Sequence, residues 1–187
     1  MDGLVGDSDH GSAMKRGFNA ALTELDRSQA VTLPGEMLAI VSSSFADGAG
    51  GASGPLFAAF FKELGKACGA ATELGVSELE QGLLGCIERI MRLGKVEVGE
   101  KTMLDAFHPA YLAVSNHDQN ELWIVARSAA EAADAGALAT AQLSAKRGRG
   151  RYVADGGKGH IDPGAKSVAY ILKFLETVAD PNREETD

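Results

Sequence analysis

The amino-terminal stretch DGLVGDSDHGSAMKRGFNAALTEL, residues 2–25, predicts an acidic loop that leads directly into a helix. Its apolar residues recur at the three- and four-residue spacing of one helical face, so we expect a helix from about Ser12. Three carboxylates precede that helix, on Asp2, Asp7 and Asp9. Mg²⁺ prefers oxygen ligands, and the free N–H groups at a helix N-terminus attract phosphate. The stretch therefore predicts a loop that holds Mg²⁺ and, through the ion, a nucleotide.

A solvated turn is the alternative interpretation of this loop, because aspartate and glycine are ordinary turn residues. A calcium EF-hand is excluded, since Gly11 and Phe18 stand where that motif, counted from Asp7, needs ligands. What favours the metal interpretation is the helix that follows the acids.

The rest of the chain continues the helical spacing and shows no strand-like alternation. We predict an all-α bundle of six or seven helices. The sequence Ser77-x-x-Glu80 predicts a capping box, and Thr102-x-x-Asp105 predicts a second one. An uninterrupted alanine-rich segment predicts one long helix over about 121–146. Asp162-Pro163 predicts an N-cap followed by proline at the first helical position.

The size and charge of the chain limit the classes of function. A chain of 187 residues predicts one domain over 1–187, with a charged, frayed tail at 180–187. The net charge of −8 argues against nucleic-acid binding. Cys68 and Cys86 are interpreted as buried thiols in a reducing compartment. Because no apolar run approaches the length of a membrane span, we expect no membrane partner and a cytoplasmic location.

Two further loops carry unusual chemistry, a glycine-rich one at 47–55 and a basic-to-glycine one at 147–164. Alternate loops of an up-and-down bundle meet at one end, and glycine-rich backbone can wrap phosphate oxygens. A flexible connection and a basic helix end are the plainer alternatives. Residues 94–102 look like a phosphate-binding P-loop, but Glu100 is inserted before the lysine and the preceding segment is helical. We therefore reject that interpretation.

Taken together, five ordered motifs resemble the L subunit of the dihydroxyacetone kinase family. They are Asp2…Gly6-Asp7-x-Asp9-His10-Gly11, Gly50-Gly51-Ala52-Ser53-Gly54-Pro55, Gly99-x-Lys101-Thr102-Met103-x-Asp105, Gly148-Arg149-x-x-Tyr152 and Gly159-His160-x-Asp162-Pro163-Gly164. The resemblance implies an antiparallel barrel of eight helices with the nucleotide at one end. That family carries a helix before its first aspartate. We therefore expect an upstream helix, a buried ligand or a homodimer to cover the apolar stripes left without it.

The resemblance also implies the residues of the site. Asp2, Asp7 and Asp9 would hold two Mg²⁺ ions that bridge the phosphates of ATP or ADP. The remaining nucleotide contacts would be His10, Gly11, Ser12, Ala13, Ala52 and Ser53 near the phosphates, Arg149 at a phosphate, Gly94 and Met103 near the adenosine, and Asp162, Pro163 and Gly164 on the purine side. At Ala13 the family usually has asparagine. The pattern identifies no catalytic residue of this chain.

By that resemblance, the chain is the nucleotide-binding subunit of a ketose kinase that is active only with its partner. The partner K subunit would hold dihydroxyacetone or a related short ketose, and would decide which ketose is used. The phosphoryl donor would be free ATP, or ADP rephosphorylated by a phosphotransferase-system phosphocarrier. Two alternatives stay open: a nucleotide domain like that of a fatty-acid kinase, and a non-catalytic ADP-binding module that contacts a regulator or carrier protein.

Overall fold

A computed structural model of the protein describes residues 9–28, 30–51 and 53–183. Over these ranges the chain forms seven α-helices and no strand, which confirms the all-α prediction. The helices are α1 His10–Arg27, α2 Pro34–Ala49, α3 Ser53–Cys68, α4 Val76–Gly94, α5 Leu104–Ser115, α6 Leu122–Ala139 and α7 Pro163–Ala179. Three short 3₁₀ turns at Thr140–Gln142, Arg149–Tyr152 and Ala154–Gly157 lie between α6 and α7. The end of the predicted frayed tail, 184–187, lies outside the described residues.

Consecutive helices pack against each other and run in opposite directions. In the α6–α7 pair, Lys166 near the start of α7 donates to Asp134 late in α6 at 2.5 Å. At the other end of the same pair, Arg127 in the first half of α6 lies 3.6 Å from Glu176 near the end of α7. The helices of an up-and-down arrangement therefore start alternately at its two ends.

Aromatic and aliphatic side chains fill the centre of the bundle. Phe45, Phe57 and Phe107 are at most 1% exposed. The face of α6 that meets this core carries small side chains, which allow neighbouring helices to come close; they are Ala126, Ala129, Ala130, Ala133 and Ala137. Both cysteines, Cys68 and Cys86, are buried free thiols, as the sequence predicts.

Gly136 marks the closest approach between α5 and α6. A Cβ atom at this position would lie only 2.1 Å from the carbonyl oxygen of Asp105. That oxygen is the helical acceptor four residues before Pro109, and proline has no N–H group to donate to it. Pro109 therefore leaves the Asp105 carbonyl without its usual helical donor, and Gly136 packs against α5 at that carbonyl.

Two predicted helix limits are wrong. The helix α4 does not start in a Ser77 box; it begins at Val76, and the Gly75 amide donates to the Glu78 carboxylate at 3.1 Å. The predicted long helix over 121–146 ends at Ala139, after which the chain makes one 3₁₀ turn and leaves the helical path. It turns there because Thr140 bonds to two residues that are distant in the sequence, Lys101 and Asp162.

The start of α5 follows the second predicted capping box in part. The Asp105 carboxylate accepts the Thr102 amide at 2.7 Å, as the box requires. The Thr102 hydroxyl, however, accepts the Leu104 amide at 3.2 Å rather than that of Asp105. The helix begins at Leu104.

The two outermost helices carry exposed apolar side chains. On α1, Phe18 is 36% and Leu22 is 59% exposed, and on α7, Tyr170 is 63% and Phe174 is 66% exposed. These are the first and last helices, which have a sequence neighbour on one side only. The prediction that a further helix, a ligand or a second copy covers such a surface stays a prediction.

Candidate nucleotide site

The starts of α1, α3, α5 and α7 lie at the same end of the bundle as the ends of α2, α4 and α6. His10, the first residue of α1, lies between α7 and α3: its Nε2 is 2.8 Å from the Ser167 hydroxyl, and its ring centroid is 6.1 Å from that of Phe57. Four helix N-termini therefore meet at one end. Because the positive ends of four helix dipoles point to this end, it favours a bound anion.

Asp9 is the N-cap residue of α1, and it is exposed. Its carbonyl accepts the Ala13 amide at 2.8 Å, but its carboxylate makes no capping hydrogen bond. That carboxylate is therefore available to an ion. The other two predicted ligands, Asp2 and Asp7, lie outside the described residues.

The first turn of α1 contains three more predicted contact residues. Gly11 and Ser12 are exposed, and the space around Gly11 is open to 4 Å. Ala13 is buried at 3% exposure, so its methyl group points into the bundle. This turn offers a ligand the backbone and hydroxyl of Gly11 and Ser12.

The glycine-rich loop reaches the same end between α2 and α3. Gly50 has φ of 66° and Gly51 has φ of 60°, a backbone conformation that favours glycine. The side chain of Arg16 on α1 donates to the Ala49 carbonyl at 3.0 Å, which ties the end of α2 to α1. Ala52 and the side chain of Ser53 lie outside the described residues, so their predicted phosphate contacts stay predictions.

A buried lysine for which the sequence predicts no specific role lies in the segment before α5, at this same end. The Lys101 ammonium donates to the Thr140 carbonyl at 2.6 Å and to the His160 carbonyl. Burial lowers the pKa of Lys101, and the charges of Asp162 and Asp105 oppose that change. The only signal in the sequence was its place in the Gly99-x-Lys101-Thr102 motif.

Asp162 caps α7 as predicted, because its carboxylate accepts the Ala165 amide at 2.8 Å. Its own amide donates to the Thr140 hydroxyl at 2.8 Å. Burial raises the pKa of Asp162 to about 6, against the opposing effects of the Ala165 amide and the Lys101 charge. Pro163 follows as the first residue of the helix.

Met103 and Gly164 face each other across this side of the site. A Cβ atom at Gly164 would lie 3.6 Å from the Met103 side chain, which is itself buried. The five residue steps from Asp162 to Ser167 span about 7.5 Å along the helix axis. The start of α7 thus joins the Met103 side of the site to the His10 side.

For the last two predicted contacts, Gly94 and Arg149, the structure gives the position along the chain. Gly94 is the last residue of α4, next to Val96. Arg149 begins a 3₁₀ turn, and its side chain lies outside the described residues. Residues 94–102 follow a helix instead of a strand, which agrees with rejecting a P-loop there.

No three acidic, histidine or cysteine side chains of residues 9–28, 30–51 and 53–183 group closely enough to hold a metal ion. The predicted magnesium site therefore depends on Asp2 and Asp7 in addition to Asp9. Among the helices that the structure describes, none has the length and hydropathy of a membrane span.

This arrangement defines a class of protein, an all-helical domain in which glycine-rich loops and the starts of four helices lie at one anion-attracting end. The model of the DAK2 domain family matches residues 4–177, so the chain belongs to that family.

Characterised relatives agree with this assignment. The chain is 34% identical over 185 residues to the ADP-binding subunit DhaL of the PEP-dependent dihydroxyacetone kinase of Escherichia coli, covering 96% of this chain and 86% of the relative. It is 36% identical over 182 residues to the ADP-binding subunit of the PTS-dependent enzyme of Lactococcus lactis, covering 96% and 86%. The crystal structure of the dihydroxyacetone kinase from C. freundii with AMP-PNP and Mg²⁺ superposes with a TM-score of 0.69 at 27% identity, covering 94% of this chain and 29% of that one.

Proposed function

We propose that this chain is the Mg-nucleotide-binding subunit of a ketose kinase. The phosphoryl group would pass to dihydroxyacetone or a related short ketose held by a partner K subunit. The observation that carries the proposal is that the described parts of the five motifs lie at one end of the bundle, where four helices start. The relatives named as ADP-binding kinase subunits support it.

Asp2, Asp7 and Asp9 are the proposed holders of two Mg²⁺ ions. The fit is supported by the exposed Asp9 carboxylate, which makes no capping bond at the start of α1. Bound Mg²⁺ would neutralise charge on the phosphates, which phosphoryl transfer requires more than covalent chemistry.

The remaining proposed contacts divide into a phosphate side and a base side. Next to the phosphates we place the first turn of α1, the loop before α3 and one arginine, that is His10, Gly11, Ser12, Ala13, Ala52, Ser53 and Arg149. On the base side we place Gly94, Met103, Asp162, Pro163 and Gly164. This chain would position the nucleotide, and the attacking hydroxyl would come from the ketose on the partner.

The partner would dock over the end where the helices start, and its docking would exclude water from the transfer. The phosphoryl donor would be ATP, or ADP recharged by a phosphocarrier; the names of the PEP- and PTS-dependent relatives favour the second route. We place the protein in the cytoplasm, with no nucleic-acid or membrane partner.

Nucleotide binding is tested by thermal melting with MgADP. The wild-type protein should melt at a higher temperature with Mg²⁺ and ADP together than with either alone, and Asp7→Asn should abolish that gain. Asp118→Asn is the matched control, because Asp118 is an exposed residue between α5 and α6, at the opposite end of the bundle. An unchanged gain in Asp7→Asn would place the site elsewhere.

Catalysis is tested by combining the chain with a K-type subunit, dihydroxyacetone and ATP or a phosphocarrier system. Formation of dihydroxyacetone phosphate only when all components are present would support the kinase. Tight MgADP binding without transfer under every donor would instead favour the non-catalytic module.

A further inference from the structure

Lys101 joins three segments that are distant in sequence. It is 2% exposed, and its ammonium bonds to the carbonyls of Thr140 and His160, which lie 39 and 59 positions further along the chain. A buried ammonium without such partners would be strongly destabilising. The two carbonyls, one at the end of α6 and one before α7, are therefore held at a fixed distance from the loop that carries Lys101.

Thr140 passes this restraint on to the turn that begins α7. Its hydroxyl accepts the Asp162 amide at 2.8 Å and donates to the Ala137 carbonyl at 2.5 Å. Thr140 is fully buried, so water cannot replace these bonds. The turn at 162–164 is thus fixed through Thr140 as well as through its own cap on Ala165.

The backbone at Lys101 also fixes the position of Met103. Lys101 has φ of 62°, in the left-handed region that non-glycine residues seldom occupy. Asp105 secures this conformation by accepting the amides of Gly99 at 2.5 Å and Thr102 at 2.7 Å. Two residues after Lys101, the Met103 side chain faces Gly164. Lys101 therefore fixes how Met103 and the 162–164 turn are placed relative to each other.

We propose that Lys101 is a positioning residue for the base side of the nucleotide site, which it builds by tying the loop before α5 to the end of α6 and the start of α7. This inference rests on the proposed function, because it assigns the base to the surface that Met103 and Gly164 form together where they pack against each other. The charges are balanced locally by Asp105 and Asp162, whose carboxylates act on the Lys101 ammonium. The Lys101 ammonium is engaged by two backbone carbonyls, so we expect its effect to be specific to the base.

The test compares Lys101→Met with Lys95→Met by isothermal titration calorimetry. Lys95 is a matched control because it too has a positive φ, of 49°, yet its side chain is exposed. Each variant and the wild type are titrated with ADP and with pyrophosphate, both in excess Mg²⁺. We expect Lys101→Met to weaken ADP binding on the order of ten- to a hundred-fold, because Met103 and the 162–164 turn lose the hydrogen bonds that hold them in place. Pyrophosphate binding should stay within about threefold of wild type.

A second measurement reports directly on the segment at 160–165. Hydrogen exchange of the amides of 160–165 should quicken in Lys101→Met, while the amides of α3 keep their wild-type rates. Should that variant not fold, Thr140→Val makes the same test, because it removes the hydroxyl that holds the Asp162 amide without leaving a buried charge unpaired. Thr140→Val should weaken ADP more than pyrophosphate.

The outcomes separate the two proposals. A wild-type protein that does not bind MgADP would overturn the proposed function and this inference with it. A wild type that binds MgADP beside a Lys101→Met variant that binds it equally well would overturn the positioning role alone. Equal loss of ADP and pyrophosphate, or unchanged exchange at 160–165, would also overturn that role.

Discussion

Replacing Gly136 by alanine tests how closely α5 and α6 approach each other. The added methyl carbon would lie 2.1 Å from the Asp105 carbonyl oxygen and 2.7 Å from the Pro109 ring. A carbon and a carbonyl oxygen normally stay about 3.3 Å apart, so the two helices would have to separate by roughly 1 Å. The oxygen belongs to the backbone and cannot rotate away.

The magnitude follows from two opposing effects. Alanine is about 1 kcal/mol better than glycine inside a helix, which favours the variant. Overpacking costs about 1–3 kcal/mol, and this backbone clash belongs at the upper end of that range. We therefore expect Gly136→Ala to lower the free energy of unfolding by about 2 kcal/mol or more, which lowers the melting temperature of a chain of this size by about 4–8 °C.

Thermal melting followed by circular dichroism measures the effect, with Gly85→Ala as the matched control. Gly85 lies inside α4, where the nearest atom to an added Cβ is a side-chain carbon of Glu63 at 3.3 Å. That variant should melt at the wild-type temperature or up to about 4 °C above it, because no backbone clash opposes the helix preference for alanine. A Gly136→Ala protein that is as stable as wild type would refute the close approach described for α5 and α6.

Three further predictions follow from the site and the surface. Because the folded-state pKa of Asp162 is raised from 3.8 to about 6, its contribution to stability is complete below pH 3.8 and is lost as the pH rises through 6. This contribution amounts to about 3 kcal/mol, so the free energy of unfolding of Asp162→Asn should depend less on pH between pH 4 and 7 than that of wild type. An unchanged pH dependence would contradict the raised pKa. Ser167→Ala removes a hydrogen bond to His10, so it should weaken MgADP binding about three- to tenfold in calorimetry; equal affinity would show that this bond does not order the start of α1. We expect the exposed side chains of α1 and α7 to be covered by a second copy, so light scattering should show a dimer that Phe174→Glu converts to monomer; a wild-type monomer at all concentrations would contradict this.

The parts of the fold with local causes could be predicted from the sequence. Apolar spacing located the helices, and Asp162 followed by Pro163 is a cap whose partner, the Ala165 amide, lies three residues away. The start of α4 was misplaced because its N-cap is Gly75, which has no side chain to signal the cap. In both cases the capping interaction spans only a few residues. The sequence reveals such a cap when a side chain makes it, as at Asp162, and hides it when the capping residue is a glycine.

Long-range interactions account for what the sequence did not show. The alanine-rich pattern continues past residue 139, but the chain leaves the helix at Thr140 because Lys101 and Asp162 bind it there. No spacing rule connects Lys101 to acceptors this far away. The predicted site residues were chosen by resemblance, whereas the lysine that holds their backbone became apparent only once the helices were packed.

The odd number of helices in the described part has a practical consequence for joining this domain to others. Since α1 and α7 both start at the end where we propose that the nucleotide binds, α7 finishes at the opposite end of the bundle. A helix of 17 residues is about 25 Å long, so a tag, fluorophore or tether attached after α7 sits about that far from the site. An attachment close ahead of α1 would instead lie at the end where α1, α3, α5 and α7 start. Reporter fusions, surface immobilisation and linked partner subunits should therefore use the C-terminal side of α7, which leaves the nucleotide end open to an incoming protein.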